Sequence, residues 1–243
     1  MSDVQGRRVL GNLVYVDVAA HLKRWVEAIG PDVVKYLDDF TGGPGIDTAF
    51  DNFWTVTRVE AGAGESTMTR IDGVGGILRI TTDANEDDGI NAQLLSEAFK
   101  LSAGAPLYFG IRMKASEATQ SDFFAGLAIT DTDILGGVTD RIGFEKLDGV
   151  TTVKAMLEKD STETLSGTLA TLDTNYHIYE FYFDGTTVEF FIDGLSVATP
   201  AVTNLPDDEE LRVTMQFLAG SAAARTLDID WIRVIQIGAT RAA

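Results

Sequence analysis

The sequence predicts an all-β protein, a jelly-roll sandwich of two antiparallel sheets preceded by a short helical arm. Turn residues recur at short, fairly regular spacing from Asp38 onward and separate a dozen or so short segments with strand patterns. Val, Ile, Thr and Phe are common, and the 243 residues include 24 Gly, as expected for strands joined by turns. This length is sufficient for one large β domain with a buried core.

The aromatic stretch at residues 176–197 gives the clearest indication of antiparallel strands. Apolar residues alternate with polar ones in two sets, each of which can line one buried face of a strand: Tyr179, Phe181 and Phe183, then Val188, Phe190 and Ile192. Asp184-Gly185 and Asp193-Gly194 are turn dipeptides, because Gly accepts positive φ and Asp tolerates it. The stretch therefore predicts a meander of three antiparallel strands.

Residues 1–37 differ from the rest of the chain. Asp17 can cap a helix whose apolar residues recur at helical spacing, and Gly30-Pro31 then ends it. The residues that carry this spacing are Leu22, Trp25, Val26 and Ile29, followed by Val33, Val34 and Leu37 for a second short helix. Such an arm either packs on its own sandwich or docks on a neighbouring subunit or larger partner. Residues 1–13 are predicted to be extended.

The remaining elements follow in order as strands. They are predicted at residues 54–60, 66–71, 77–82, 90–95, 107–114, 163–169 and 211–217, the last with one solvent-facing side. Residues 123–130 form a nearly continuous apolar run, which predicts a central strand buried on both faces. Residues 141–147 and 152–158 predict a hairpin about Asp148-Gly149. The strand at residues 226–237 closes the domain, and a shift in its apolar pattern indicates a bulge or a change in burial.

The aromatic meander resembles the late strands of concanavalin A-like lectin/glucanase domains, the LamG-like jelly rolls. The run at residues 227–236 resembles the closing strand of that family, and Asp38-Asp39-Phe40, Phe53-Trp54 and Asp72-Gly73 resemble its start. The resemblance covers roughly residues 38–237. Together with the different pattern of residues 1–37, it divides the chain into an arm at residues 1–37 and a sandwich at residues 38–243. Its motifs are turns and strands, which are specific for fold and say little about function.

Charge and composition exclude several classes of function. The net charge of −18 argues against nucleic acid or an anionic membrane as a partner, since both require basic patches. With no cysteine there is no disulfide, no thiol chemistry and no Cys-ligated metal. No apolar run of signal-peptide length follows the N-terminus, so we expect a protein made and used without export. The expected lack of an export signal argues against a secreted glycanase, the usual enzyme of this fold class.

One segment matches the catalytic pattern of the glucanases that the chain resembles. Glu158, Asp160 and Glu163 reproduce Glu-x-Asp-x-x-Glu, in which apolar residues normally separate carboxylates that point into the sugar cleft. Here Lys159, Ser161 and Thr162 stand between them, and the segment lies just before the final hairpin. The sequence therefore predicts a solvated hairpin tip and no catalytic residue.

No metal or cofactor site is predicted either. The loop Asp83 to Gly89 has the alternating oxygen ligands of a calcium loop, but its Gly is one place late and Leu94 replaces the bidentate Glu. Asp131, Asp133 and Asp140 are a weaker set. His21 and His177 are the only histidines and cannot supply a His-rich site. The Gly73-x-Gly75-Gly76 turn enters a strand, which excludes a phosphate loop.

Aromatic side chains offer a platform for stacking on sugars. The candidates are Trp54, Tyr108, Tyr176 and Tyr182, for which we expect core or strand-edge packing, with sugar stacking as the alternative.

From these observations we expect a non-enzymatic structural protein. Domains like this one occur in virion proteins of tailed bacteriophages, which suggests a capsid decoration or stabilising protein that forms a homo-oligomer on the capsid surface. It would be made in the host cytoplasm, bind a major capsid or other virion protein through its arm, and need no cofactor. One alternative is a lectin-like carbohydrate-binding module. A second is a glycoside hydrolase, which requires Glu158 and Glu163 to lie side by side.

Overall fold

The computed structural model describes residues 4–10, 13–18, 21–28, 30–42, 53–60 and 64–238, with side chains from Ala28 onward. These residues form nineteen strands and no helix, so no helix in them could cross a membrane. The strands of the first half are β1 (Val4–Leu10), β2 (Leu13–Val18), β3 (His21–Ala28), β4 (Val33–Asp38), β5 (Trp54–Val59), β6 (Thr67–Ile71), β7 (Ile77–Thr81), β8 (Gly89–Leu94), β9 (Leu107–Ala115) and β10 (Ser121–Ala128). The others are β11 (Arg141–Lys146), β12 (Thr152–Lys159), β13 (Thr162–Leu165), β14 (Ala170–Thr171), β15 (His177–Phe183), β16 (Val188–Ile192), β17 (Leu195–Ala198), β18 (Arg212–Ala219) and β19 (Thr226–Ile237).

Two large antiparallel sheets form the body of the protein. The first sheet has the order β13-β12-β11-β10-β18-β8-β5, with β14 beside β12. The second has the order β17-β16-β15-β9-β19-β7-β6, with β4 beside β19. Consecutive strands often lie in different sheets, as β5 and β6 do, which is the arrangement of a jelly roll. A separate three-stranded sheet contains β1, β2 and β3.

The core lies between the inner faces of the two large sheets. Phe144 of the first sheet makes edge-to-face contacts with Tyr179 and Phe190 of the second, at ring-centroid distances of 5.3 and 5.2 Å. Phe109 and Phe181 stack at 5.0 Å on neighbouring strands of the second sheet. These aromatic rings, all of them buried, fix the two sheets against each other through large contact areas.

The helical arm predicted for residues 1–37 is wrong where the structure describes it. Residues 33–38 form β4, which pairs with β19 from Val33 opposite Ile237 to Asp38 opposite Ile232. Val34 and Tyr36 pack toward the core while Leu37 is exposed, so the apolar pattern has the period of a strand. His21–Ala28 is also a strand, and the side chains of His21 and Trp25 lie outside the described residues. The arm's partner and the division between residues 37 and 38 stay predictions.

Most of the strand predictions are confirmed. β11 and β12 form the hairpin about Asp148-Gly149, and β15, β16 and β17 form the predicted meander. β10 is buried along its whole length, and β19 has the expected register shift between Ile229 and Trp231. The prediction of a solvent-facing side for residues 211–217 is wrong, because every residue of β18 is buried. The covering segment is described below, since it also shapes the candidate site.

Candidate functional site

A cluster of charged side chains lies on the outer face of the first sheet, the face turned away from the second sheet. In β11, Ile142 and Phe144 point into the core, so Arg141 and Glu145 project outward. In β12, Leu157 lies in the core and Glu158 projects outward, directly opposite Arg141. Alternation along these two paired strands thus brings one arginine and two glutamates together on the outer face of the sheet.

Three glutamates converge on the guanidinium group of Arg141. Its Nε donates to Glu158 Oε2 at 2.7 Å, and its Nη1 lies 3.0 Å from Glu145 Oε2. Its Nη2 lies 3.6 Å from Glu163 Oε1, and Glu163 is the cross-strand partner of Glu158. Because one planar guanidinium binds both, the bound oxygens of Glu145 and Glu158 lie no more than about 8 Å apart.

Burial sets the electrostatics of this cluster. Glu145 and Glu158 are 6% and 5% exposed, whereas the side chain of Glu163 is 45% exposed. Burial raises the pKa of Glu145 and of Glu158, although Arg141 opposes the shift in each case. The cluster therefore combines two buried carboxyl groups with raised pKa values and one carboxyl group that solvent reaches.

A long segment between β10 and β11, residues 129–140, covers part of the same outer face. Gln93 donates to Ile129 O at 2.8 Å and accepts from Asp131 N at 3.0 Å. Asn91 donates to Asp131 O at 2.8 Å, and Arg141 donates to Ile134 O at 2.8 Å. Polar side chains of the sheet thus bind the backbone of this covering segment, which satisfies hydrogen-bonding groups that water would otherwise reach.

Apolar contacts hold the covering segment down. Ile134 and Val138 pack against Phe124 and Ala128 of β10 in a cluster separate from the main core. Gln216 of β18 adds hydrogen bonds to Leu135 N and Asp133 Oδ1, both at 2.9 Å. The burial of β18 on both faces follows from this cover.

The hairpin tip predicted at Glu158 and Glu163 is only partly a solvated turn. Asp160 and Ser161 have φ values of 50° and 60° and form a tight turn between β12 and β13. Lys159 binds Asp207 at 2.6 Å near the surface. Glu158 is buried in the Arg141 cluster, so the solvated tip describes the turn and Glu163 but is wrong for Glu158.

The acidic loops are stabilised by their own hydrogen bonds. Asn85 Nδ2 donates to Asp83 Oδ2 at 3.2 Å and to Asp88 Oδ2 at 2.9 Å, so the amide of Asn85 binds the carboxylates. Asp131 and Asp133 belong to the covering segment and accept backbone hydrogen bonds there. Within the described ranges, no group of three His, Asp or Glu is arranged to hold a metal ion.

His177 lies in the second sheet, away from the Arg141 cluster. Its Nδ1 lies 2.6 Å from Asp193 Oδ2 and its Nε2 3.0 Å from Asp173 Oδ1. Burial lowers its pKa, but the two carboxylates outweigh burial and the pKa is raised overall. Both ring nitrogens are engaged, so the imidazole ties two turns together beside a cavity of about 250 Å³.

The four aromatic candidates do not form a sugar platform. Trp54 is 1% exposed in the core, and Tyr108 is buried with its hydroxyl donating to Glu180 Oε1 at 2.7 Å. Arg112 and Lys114 lie over the ring of Tyr176, at 4.3 and 4.8 Å from its centroid. Tyr182 is half-buried in an apolar cluster on the outer face of the second sheet. The expected packing is confirmed for Trp54, Tyr108 and Tyr182, and cations cover the ring of Tyr176, so the stacking alternative is not supported for these residues.

A buried carboxylate at the start of β10 gives a testable pH dependence. Asp122 is 7% exposed, and its Oδ1 accepts a hydrogen bond from Asp148 N at 2.6 Å while its buried Oδ2 has no partner. Burial raises the pKa of Asp122 from 3.8 to about 6. The folded state therefore loses stability as pH rises through this interval, because charging Asp122 costs more when folded than when unfolded.

We expect Asp122→Asn to raise the free energy of unfolding by about 1–2 kcal/mol at pH 7 and to change it little at pH 3.5. Urea unfolding at the two pH values measures the effect. The matched control is Glu86→Gln at an exposed loop position, for which we expect no pH-dependent gain. A loss of stability at pH 7 would contradict the assignment.

Comparison with known proteins identifies the fold. No family model matches the sequence, and no curated protein matches it. An endo-1,3-β-glucanase from Streptomyces sioyaensis has a similar structure, with a TM-score of 0.61, 14% identity and coverage of 88% of this chain and 100% of that chain. A glycoside hydrolase family 16 endo-glucanase from Bacteroides ovatus has a TM-score of 0.59 and 15% identity, with coverage of 82% of this chain and 99% of that chain. A protein of unknown function from Shewanella oneidensis MR-1 has a TM-score of 0.59 and 15% identity, with coverage of 89% of this chain and 92% of that chain. These similarities establish the jelly-roll sandwich shared with glucanases.

The same comparisons overturn the expected function. The prediction of a non-enzymatic capsid decoration protein is wrong, because the similar structures include several glucanases and those named above include no virion protein. The bacteriophage and homo-oligomer expectations gain no support from them. The expected partners and location stay predictions.

Proposed function

We propose that this protein is a glycoside hydrolase that acts on a β-glucan, with Glu158 and Glu163 as its pair of carboxyl groups. The observation that carries the proposal is their position directly opposite each other on β12 and β13, on the outer face and beside one arginine. Side chains opposite each other on antiparallel strands have Cβ atoms about 5 Å apart. Both side chains also reach the guanidinium of Arg141, which draws their carboxyl groups toward the spacing of about 5–5.5 Å that a retaining glycosidase requires.

The two glutamates differ in the way that this chemistry requires. Burial raises the pKa of Glu158, which is the direction required of the general acid that protonates the leaving oxygen. Glu163 is exposed and suits the nucleophile that forms the glycosyl intermediate, after which Glu158 activates the water that releases it. Arg141 lies within reach of both and would stabilise the carboxylate that Glu158 becomes when it gives its proton to the leaving oxygen.

Two substitutions test the pair. We expect Glu158→Gln and Glu163→Gln each to lower the hydrolysis of β-1,3-glucan by at least about a hundredfold, since each removes an acid-base or nucleophilic group. Release of reducing ends measures hydrolysis, and thermal unfolding checks that each variant folds. The control is Glu210→Gln, an exposed glutamate paired with Lys100, which should keep the parent rate. Full activity in either Gln variant, or none in the parent, would refute the proposal.

A second candidate function is carbohydrate binding without cleavage. It is favoured by the engagement of all three carboxylates by Arg141 and by the near-complete burial of Glu145 and Glu158. Titration calorimetry with a β-1,3-glucan hexasaccharide distinguishes the two candidates. Heat of binding with no new reducing ends after prolonged incubation favours binding alone.

A further inference from the structure

Building on the proposed glycoside hydrolase function, we infer that the site accepts the end of a glycan chain and excludes chains that run across the sheet. The inference depends on the covering segment, residues 129–140, which lies beside the Glu158–Glu163 pair on the outer face. An enzyme that cleaves internal bonds needs room for sugar units on both sides of its carboxyl pair. Here one of the two sides is filled by the protein itself.

The blocked side is the direction from β11 toward β10, β18 and β8. Phe124 is the cross-strand neighbour of Glu145, and it is fully buried against Ile134 and Val138 of the covering segment. Arg141 lies over the Phe124 ring, 5.6 Å from its centroid, and donates to Ile134 O. A sugar unit placed beyond Glu145 in this direction would therefore overlap side chains of the segment.

The covering segment is anchored to the sheet at several points. Its backbone binds Gln93 and Asn91 of β8, and both its backbone and Asp133 bind Gln216 of β18. Asn91, Gln93 and Gln216 are each at most 2% exposed. Lifting the segment would leave these amides and the apolar cluster beneath it without their partners, so the segment stays in place when a substrate arrives.

The other side is the direction toward β13, the edge strand of the first sheet, where Asn204 donates to Glu163 O at 3.1 Å but the outward-facing side chains stay exposed. Glu163 and Leu165 project from it with exposed fractions of 45% and 42%. Lys154 of β12 is half-buried on the same face and contributes positive charge near Glu145. A glycan can approach from this edge, reach the carboxyl pair with its terminal unit and stop against the covering segment.

The test compares two probes of equal length with the unmodified protein. One is a β-1,3-glucan hexasaccharide with free ends, and the other carries bulky aromatic groups at both ends. We expect cleavage or calorimetric binding of the free-ended probe and at least a tenfold reduction with the blocked probe. Equal cleavage or binding of the two probes overturns the chain-end inference and leaves the hydrolase proposal standing. Failure to cleave or bind the free-ended probe refutes both.

A variant chain tests the role of the covering segment. Ile129 N donates to Asp140 O at 3.1 Å, so these residues already pair across the hairpin, and an Asn-Gly turn can replace residues 130–139. We expect the shortened variant, once its fold is verified by far-ultraviolet circular dichroism, to accept the blocked probe within about threefold of the free-ended one. Continued tenfold discrimination by the folded variant contradicts the assignment. If the variant does not fold, the chain-end inference is judged from the comparison of the two probes on the unmodified protein.

Discussion

Replacement of Arg141 by Met is expected to lower the free energy of unfolding by about 3–5 kcal/mol at pH 7, because it leaves buried carboxylates without their cation. The guanidinium is 5% exposed and binds Glu158 and Glu145, which are themselves buried. Urea unfolding measures the loss. We expect the loss to shrink as pH falls toward 4, since protonated glutamates need no counter-charge.

The matched control is Lys100→Met, which removes an exposed cation paired with Glu210. Their side chains are 38% and 58% exposed, so the pair is expected to contribute less than about 1 kcal/mol. Similar losses in the two variants, or a loss in Arg141→Met that does not depend on pH, would show that the cluster lacks the buried charge coupling described above.

Phe144→Ala is expected to lower the free energy of unfolding by about 3–5 kcal/mol, because it opens a cavity in the centre of the core. The ring is fully buried and contacts Tyr179 and Phe190 of the opposite sheet, so its loss weakens the contact between the sheets. Thermal and urea unfolding both report the change. As a control, Leu195→Ala removes a side chain that is 57% exposed and should cost well under 1 kcal/mol.

A loss below about 1 kcal/mol in Phe144→Ala would contradict this placement of the ring. The substitution also bears on the site, since Phe144 lies between Arg141 and Glu145 on β11. We therefore expect Phe144→Ala to weaken hydrolysis as well, through displacement of the outward-facing residues.

The sequence predicts the sandwich well because local patterns determine its strands. Alternation along the stretch that became β15 and β16, with Asp-Gly turns between strands, defines the meander directly. The prediction fails at residues 33–37, where the apolar positions Val33, Val34 and Leu37 fit both a short helix and a strand. Pairing with β19, which no local pattern reveals, decides the outcome.

The candidate site was less accessible to sequence reasoning. The pattern at Glu158 and Glu163 was visible, but Arg141 and Glu145 were missed, although they alternate with Ile142 and Phe144 in a predicted strand. That alternation was the available signal. Burial of Glu158 depends on side chains and a covering segment distant in sequence, so no local pattern could reveal it.

The covering segment explains the wrong exposure predicted for β18. Arg212, Thr214 and Gln216 are polar, and polar residues at alternate positions usually mark a solvent-facing side. Here they are buried because residues 129–140 lie over that face. The sequence indicates only that a long connection, residues 129–140, joins β10 and β11, which pair directly. The residue pattern of this connection does not show that it lies over the sheet.

The position of β19 has a consequence for how the chain folds. This strand lies between β9 and β7 and also pairs with β4, so it joins segments that are far apart in the sequence. Contacts between such distant residues slow folding, because a long loop must close before any of them forms. Until residues 226–237 pair with them, β4, β7 and β9 each present an unpaired backbone edge, and a variant truncated before residue 226 should be prone to aggregation.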